Sequence, residues 1–249
     1  MIHDVVAAEL QGARPVMDKR LQESLAWAVA GAMLSHSASL PRIALAFPGA
    51  ANAASRLRRM IRLLDGVYWP SGVYMRLLEP HLAAWHKRHA FVIADTTSLS
   101  GRLWFVRIAL RYRRHAIPLA WRIHEVGGAT IAFSSLEPLL DCVANLLPSG
   151  CCPTLVADRG FLCGRLVTWC HRHGWDFLLR AKRSTGFRWA SDATTPIYTL
   201  REVSATPRGL AAIHDALLSG RVECPLHFLL AWPAAPRSDP LFIACSQPP

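Results

Sequence analysis

The sequence predicts an α/β protein: a mixed β-sheet core, a helical segment in front of it, and an irregular, β-leaning insertion that interrupts it. Three observations carry this. Residues 1–88 place apolar side chains at helical spacing. From Phe91 onward, short apolar runs of strand character take over. Those runs follow the order strand, strand, strand, helix, strand, helix, strand. Three successive strands suggest an antiparallel meander, and the strand–helix–strand steps after them suggest parallel additions.

In the N-terminal segment, Leu21, Leu25, Val29 and Leu34, with Trp27 and Met33 between them, describe a mostly apolar helix. A second helix covers Ser55–Leu64, where Leu57, Met60, Ile61 and Leu64 recur at i, i+3, i+4, i+7 and form one apolar stripe. Arg58, Arg59 and Arg62 fall mainly off that stripe, and with Arg56 they put four arginines within seven residues. Such a helix face suits phosphate contacts, and it is equally what an ordinary solvated face looks like. Asp65-Gly66 closes the helix, and a further one spans about Ser71 to His89.

The strands follow. Phe91-Val92-Ile93-Ala94-Asp95 is the first, delivering an acid at its carboxyl end; Leu103–Arg111 is the second. Ile117–His124 is the third, with Pro118 near its start, where proline is tolerated. Gly127-Gly128 breaks the run. Ser135–Leu147 reads as a helix with Glu137-Pro138 in its first turn and Pro148 after its end. Pro153-Thr154-Leu155-Val156-Ala157-Asp158 is the fourth strand, again ending on an acid, and Arg159-Gly160 turns the chain. Gly164–His173 is a helix stopped by Gly174, and Trp175–Leu179 the fifth strand. Between Ser184 and Pro240, threonines, prolines, Gly209 and Gly220 break the pattern into short pieces, with a strand over Glu223–Trp232; Leu241–Cys245 returns as a buried strand. The segments divide as 1–88 (helical), 89–183 (first part of the sheet core), 184–240 (insertion) and 241–249 (returning core strand).

This connectivity is that of the ribonuclease H-like fold, in which the acids of the first and fourth strands are neighbours. Asp95 and Asp158 hold those positions. In α/β sheets, chemistry gathers at the carboxyl ends of strands. Taken singly, Asp95 reads as a turn or helix cap in the hydrogen-bonding run Asp-Thr-Thr-Ser, and Asp158 as the salt-bridge partner of Arg159 or a neighbour. Taken with the strand order, both read as metal ligands. Two Mg²⁺ or Mn²⁺ ions about 3.5–4 Å apart, held by carboxylates, are a common apparatus for phosphoryl transfer on nucleic acid.

Composition narrows the class. The chain of 249 residues carries 28 basic and 17 acidic residues, a formal net charge of +11, and 25 of the bases are arginine. Arginine abundance follows GC-rich coding, but the excess of bases over acids is a separate property and suits a polyanionic partner. Seven cysteines without a paired Cys-x-x-Cys motif suggest neither a disulfide framework nor a zinc site, and no run of about 18 apolar residues suggests a membrane span. The N-terminus has no signal-peptide core, so a reducing compartment is expected. His86-Lys87-Arg88-His89 and His171-Arg172-His173 sit at expected helix ends, where such residues complement the helix dipole. A Gly-x-Ser-x-Gly nucleophile setting, a phosphate-cradling glycine loop and an Asp-x-Asp phosphatase pattern are all absent from the sequence.

Several stretches resemble the DDE transposases of bacterial insertion-sequence family four. These are Ile93–Thr97, Arg114–Trp121, Leu146-Leu147-Pro148, Val156–Phe161 and Gly174–Lys182, joined by Arg58–Leu64, which is similar to that family's helical DNA-binding region. The resemblance spans about residues 40 to 185. It implies metal-dependent cleavage and strand transfer at terminal inverted repeats, with Asp95 and Asp158 as the first two catalytic acids and metal ligands. It also implies double-stranded DNA (inverted repeats and target) as partner, contacted by Arg56, Arg58, Arg59, Arg62, Arg159, Arg180 and Lys182. Further implications are a homodimer within the DNA complex, a bacterial cytoplasmic, nucleoid-associated location and no membrane. The family's Tyr-x-x-Arg-x-x-x-Glu signature is not matched: Tyr198 and Arg201 have the spacing, but Ala205 stands where the glutamate belongs, and Glu202 and Glu223 are poor substitutes. The expectation is a chain that ends before the third acid, impaired in catalysis. The alternative is a non-catalytic DNA-binding regulator derived from a transposase.

Overall fold

The computed structural model describes residues 2–11, 18–46, 51–65, 73–98, 103–125, 132–191, 196–204, 209–219, 224–232 and 240–249. The readings placed on Gly66, Ser71, Gly127-Gly128, Ala205, Gly220 and Glu223 lie outside these residues. The chain divides into two compact units, Met1–Ala84 and Trp85–Pro249.

The first unit is helical: α1 (Ile2–Gln11), α2 (Lys19–Ser35), α3 (Leu40–Ala46), α4 (Ala53–Asp65) and α5 (Val73–Leu82). Asp18 caps α2 by accepting from the Leu21 N–H at 2.8 Å, and His36, in the left-handed region at φ 47°, ends it. The buried face of α2 is not the expected Leu21/Leu25/Val29 stripe. It is Gln22, Ala26, Ala30 and Gly31, while Val29, Met33 and Leu34 are exposed. Small residues win because α3 packs close: a Cβ on Gly31 would stand 2.9 Å from both Ile43 Cγ2 and the Ile43 carbonyl oxygen. A similar correction applies to α4, where Met60 and Leu63 are buried but Ile61 and Leu64 are exposed. The inward stripe keeps Met60 and is rotated by about a quarter of a turn from the expected one. Met60 joins Ile43 in a core against which Trp27, Ala28, Ala32 and Leu40 pack.

The second unit is organised by one ten-stranded sheet in the order β3-β2-β1-β4-β5-β10-β9-β8-β6-β7. Its first part consists of β1 (His89–Ser98), β2 (Leu103–Tyr112), β3 (His115–Glu125), β4 (Cys152–Ala157) and β5 (Asp176–Arg180). The hairpins β1–β2 and β2–β3 are antiparallel, and β4 and β5 join in parallel through α6 (Phe133–Leu146) and α7 (Gly164–His173). Helix α6 packs on β2 and β3, and α7 on β5. It starts earlier than expected, so Pro138 sits inside it rather than in its first turn. Helix α7 ends at Gly174 with φ 65°, a conformation that favours glycine. Pro118 lies on edge strand β3, beside a register shift between Ile108 and Ala109 of β2; an edge strand can spare the missing N–H.

The 184–240 stretch, expected to be irregular and β-leaning, adds strands to the same sheet. These are β6 (Gly186–Trp189), β7 (Tyr198–Thr199), β8 (Leu210–Leu218) and β9 (Leu226–Ala231), with one helical turn, α8 (Leu200–Val203), held by a reciprocal Thr199/Glu202 capping box. Strand β10 (Leu241–Cys245) runs antiparallel between β5 and β9 and joins the two halves. Phe177, Phe187 and Phe228 are fully buried, and the last two pack with ring centroids 5.5 Å apart. Among the described residues, no helix is long and apolar enough to cross a membrane.

Two outcomes test this packing. Gly31→Ala removes a helix glycine, worth about 1 kcal/mol of propensity, but forces a methyl against the Ile43 backbone, where overpacking costs about 1–3 kcal/mol. Thermal unfolding of the N-terminal unit is expected at a lower temperature in this variant; an unchanged or higher midpoint refutes the close α2–α3 approach. Burial, with a smaller push from the Cys163 thiol, raises the Cys170 thiol to about 12, whereas Cys142 and Cys152 are exposed. Alkylation at pH 8 should therefore label Cys142 and Cys152 in the native protein and reach Cys170 only on unfolding.

Candidate active site

The parallel pairing of β1 with β4 sets the site. The register runs from His89↔Cys152 to Ala94↔Ala157, so the next residue on each strand is an aspartate: Asp95 beside Asp158. Neighbouring strands lie about 4.8 Å apart, and residues in register point to the same face. Asp158 follows directly on β4. Asp95, expected at a strand end, is instead inside β1, which continues to Ser98 because β2 goes on pairing with it through Ser98↔Trp104. The β-branched Thr96 and Thr97 suit this extended run. Asp95 thus marks where β1 loses β4, not where β1 ends. The cap considered for Asp95 is not formed.

Along β1, Ala90, Val92 and Ala94 are buried while Phe91, Ile93 and Asp95 are partly exposed, so the carboxylates stand on the more open face of the sheet. Each has an arginine on its outer side. Asp95 lies directly opposite Arg107 of β2 in the ladder, and the Arg107 guanidinium donates to Asp95 Oδ2 at 2.9 Å. Asp158 continues the β4–β5 register past Ala157↔Leu179, and Arg180 Nη1 stands 3.7 Å from its Oδ1. The result is a row across four strands: Arg107, Asp95, Asp158, Arg180. The partner of Asp158 is therefore Arg180, not the adjacent Arg159. Two unit charges at about 5 Å repel by roughly 1 kcal/mol in water and about 3 kcal/mol at an effective dielectric of about 20. Asp95 is 46% and Asp158 62% exposed, so the lower part of that range applies and half-exposed ion pairs are enough to offset it.

Beyond Asp158, the chain lines two clefts. One, of about 850 Å³, has Arg159, Arg165, Arg172 and Lys182 on its walls with Glu137 as its one acid among the described residues. The other, of about 900 Å³, carries Arg159, Arg180, Lys182, Arg183 and Arg201 with Glu202. They share Arg159 and Lys182. The backbone and hydroxyl of Thr199 donate to the Glu202 carboxylate, which holds it below its usual range, ionised but committed to its cap. Arg159, Arg180 and Lys182, singled out in the sequence, thus converge on one basic surface. Arg107, Arg165, Arg172, Arg183 and Arg201 were missed. Arg107 sits in the inward–outward alternation of the second strand, but its partner is set by hairpin register, which no local pattern reveals.

The arginines of α4 are a separate group in the N-terminal unit. Arg58 and Arg62 are exposed, whereas Arg59 donates to Ser24 Oγ at 3.1 Å and stands 3.8 Å from Glu23. With Arg20 and Arg56, Arg59 and Arg62 line a cleft of about 600 Å³ beside the start of α2. Of the two histidine clusters, His171-Arg172-His173 does end a helix, α7, whereas His86–His89 lies beyond the end of α5 and His89 opens β1. His173 stacks on Trp169 at 4.1 Å, whose indole N–H donates to Asp141, and His89 pairs with Thr154 Oγ1 at 2.8 Å.

Two carboxylates with hard oxygen donors fit an Mg²⁺- or Mn²⁺-type cation better than a soft-ligand metal. Among the described residues, however, no group of three or more His, Cys, Asp or Glu side chains could hold a metal, so a third carboxylate does not join the pair.

No family model matches the chain, and no curated protein matches it. Solved structures that are similar to it include the following two. A piggyBac transposase in a synaptic complex with hairpin DNA shares 11% identity with a TM-score of 0.45, over 99% of this chain and 58% of the other. The Argonaute of Marinitoga piezophila, in complex with guide RNA and target DNA, shares 7% identity with a TM-score of 0.32, over 86% of this chain and 32% of the other. The chain spans little more than half the length of the first of these and about a third of the second. At such identities and scores the likenesses carry no argument about activity.

Proposed function

We propose that the protein acts on DNA as a metal-dependent transposase-type protein, with the ribonuclease H-like core as its catalytic half and the helical unit as a DNA-binding part. The observation that carries this reading is the aspartate pair: Asp95 and Asp158 side by side where β1 and β4 part, beside clefts lined by arginine and lysine. In this reading Asp95 and Asp158 would hold Mg²⁺ or Mn²⁺, which would supply Lewis-acid chemistry for phosphoryl transfer there. Arg159, Lys182 and Arg183 grip the phosphate backbone and bring the scissile phosphate to the pair. The substrate is double-stranded DNA carrying terminal inverted repeats, as the resemblance to insertion-sequence family four suggests, and a homodimer in the DNA complex belongs to the same proposal.

A second reading is a DNA-binding regulator that does not cut. It is favoured by the two-carboxylate limit among the described residues, since a third acid usually completes the second metal's shell.

Two experiments separate them. With Mn²⁺ or Mg²⁺ and labelled DNA bearing insertion-sequence ends, the transposase reading expects metal-dependent nicking that Asp158→Ala lowers at least 100-fold, the order of loss for an essential catalytic group. Undiminished nicking by that variant sinks it, and no nicking with any metal leaves the regulator. For the regulator, binding measured against salt should be steep and untouched by Asp95→Ala. Arg58→Ala and Arg62→Ala should each reduce the slope by about one, and Arg59→Ala by less because Glu23 already faces it. A flat salt dependence refutes both readings.

A further inference from the structure

The row Arg107–Asp95–Asp158–Arg180 has a property that the pair alone does not. Both aspartates are already engaged by guanidinium groups, one from each flanking strand, and the two contacts differ. Arg107 makes a charge-assisted hydrogen bond at 2.9 Å, while Arg180 stands at 3.7 Å, an ion pair beyond hydrogen-bonding reach. Arg180 also lines the basic cleft shared by Arg159 and Lys182, so it stands between a carboxylate and the surface proposed for phosphate.

We propose that Arg107 and Arg180 are positioning residues that occupy the aspartate pair as counter-charges until a divalent cation displaces them. This rests on the metal reading of Asp95 and Asp158. A cation arriving at the pair competes with Arg107 for Asp95 and with Arg180 for Asp158. Once released, Arg180 is free to turn its fork to a DNA phosphate in the adjoining cleft. Metal and DNA then bind with mutual support: each favours the state in which Arg180 has left Asp158, and the coupling is equal in both directions. The difference in contact makes Arg107 the stronger competitor and Arg180 the one that changes partner.

The test uses the full chain and Mn²⁺ alone, followed by electron paramagnetic resonance of free against bound ion, with and without double-stranded DNA. Removing Arg107 (Arg107→Ala) should tighten Mn²⁺ binding by about three- to tenfold, the scale of one charge-assisted contact, and Arg180→Ala by less. Arg107→Lys keeps a competing charge without the fork and should fall between wild type and Arg107→Ala, which guards against an effect of misfolding. Arg111→Ala, on the same strand but set against the Phe91 ring, should leave Mn²⁺ affinity unchanged. DNA should tighten Mn²⁺ binding in the wild type and lose that effect in Arg180→Ala. Weaker or unchanged Mn²⁺ binding in Arg107→Ala overturns the proposal while leaving the metal reading intact, provided Asp95→Ala abolishes binding. If Asp95→Ala binds Mn²⁺ as well as wild type, the metal reading itself fails, and the proposal with it.

Discussion

Parallel pairing between β1 and β4 is the constraint on which the candidate site depends. Six register pairs, from His89↔Cys152 to Ala94↔Ala157, fix the two strands so that an acid follows on each at the same level and on the same face. A slip of one residue would send one carboxylate to the buried face, where Val92 and Ala94 have no exposed area to spare. The register is held because that buried face is apolar on both strands: Ala90, Val92 and Ala94 on one, Pro153, Leu155 and Ala157 on the other.

Bringing two carboxylates to neighbouring strands creates a repulsion that the sheet answers locally. The β1–β2 hairpin sets Arg107 against Asp95, and the β4–β5 pairing sets Arg180 against Asp158, so the charges alternate outward from the pair. Opposite-charge pairs across strands are worth a few tenths to about 1 kcal/mol each, comparable with the screened repulsion they face. The same strand order that assembles the acids therefore assembles their counter-charges. Beyond them, Arg159 and Lys182 extend the positive surface into two clefts, in keeping with a chain of net charge +11.

Much of the second unit was legible before any coordinates. Strand identity for β1, β2, β4 and β10 follows from apolar runs bounded by prolines, acids and turns, and α7 follows from its periodicity and Gly174. The strands of 186–231 were harder to read because β8 alternates weakly: its ladder with β9 shifts register between Ile213 and Ala216, with His214 and Asp215 at the irregularity. In the helical unit the error was one of rotation. Helical spacing allowed two apolar stripes on α4; Met60 packs into the core with Ile43, and Leu63, on the same side as Met60, is buried while Ile61 and Leu64 are exposed. On α2 the large side chains lost to Ala26, Ala30 and Gly31, since close helix approach rewards small residues over apolar bulk.

By itself, the sequence determined the element types from β1 to β5, their order along the chain and the two acids worth pairing, because these rest on local periodicity and on the connection rules of α/β sheets. Only the tertiary structure decided which charges meet. Arg107 and Asp95 are twelve residues apart in sequence, and Asp158, just past β4, and Arg180, at the end of β5, are separated by a helix. Such pairs are set by register and by the face each strand presents, quantities fixed by burial of the opposite side and not by any residue's neighbours along the chain.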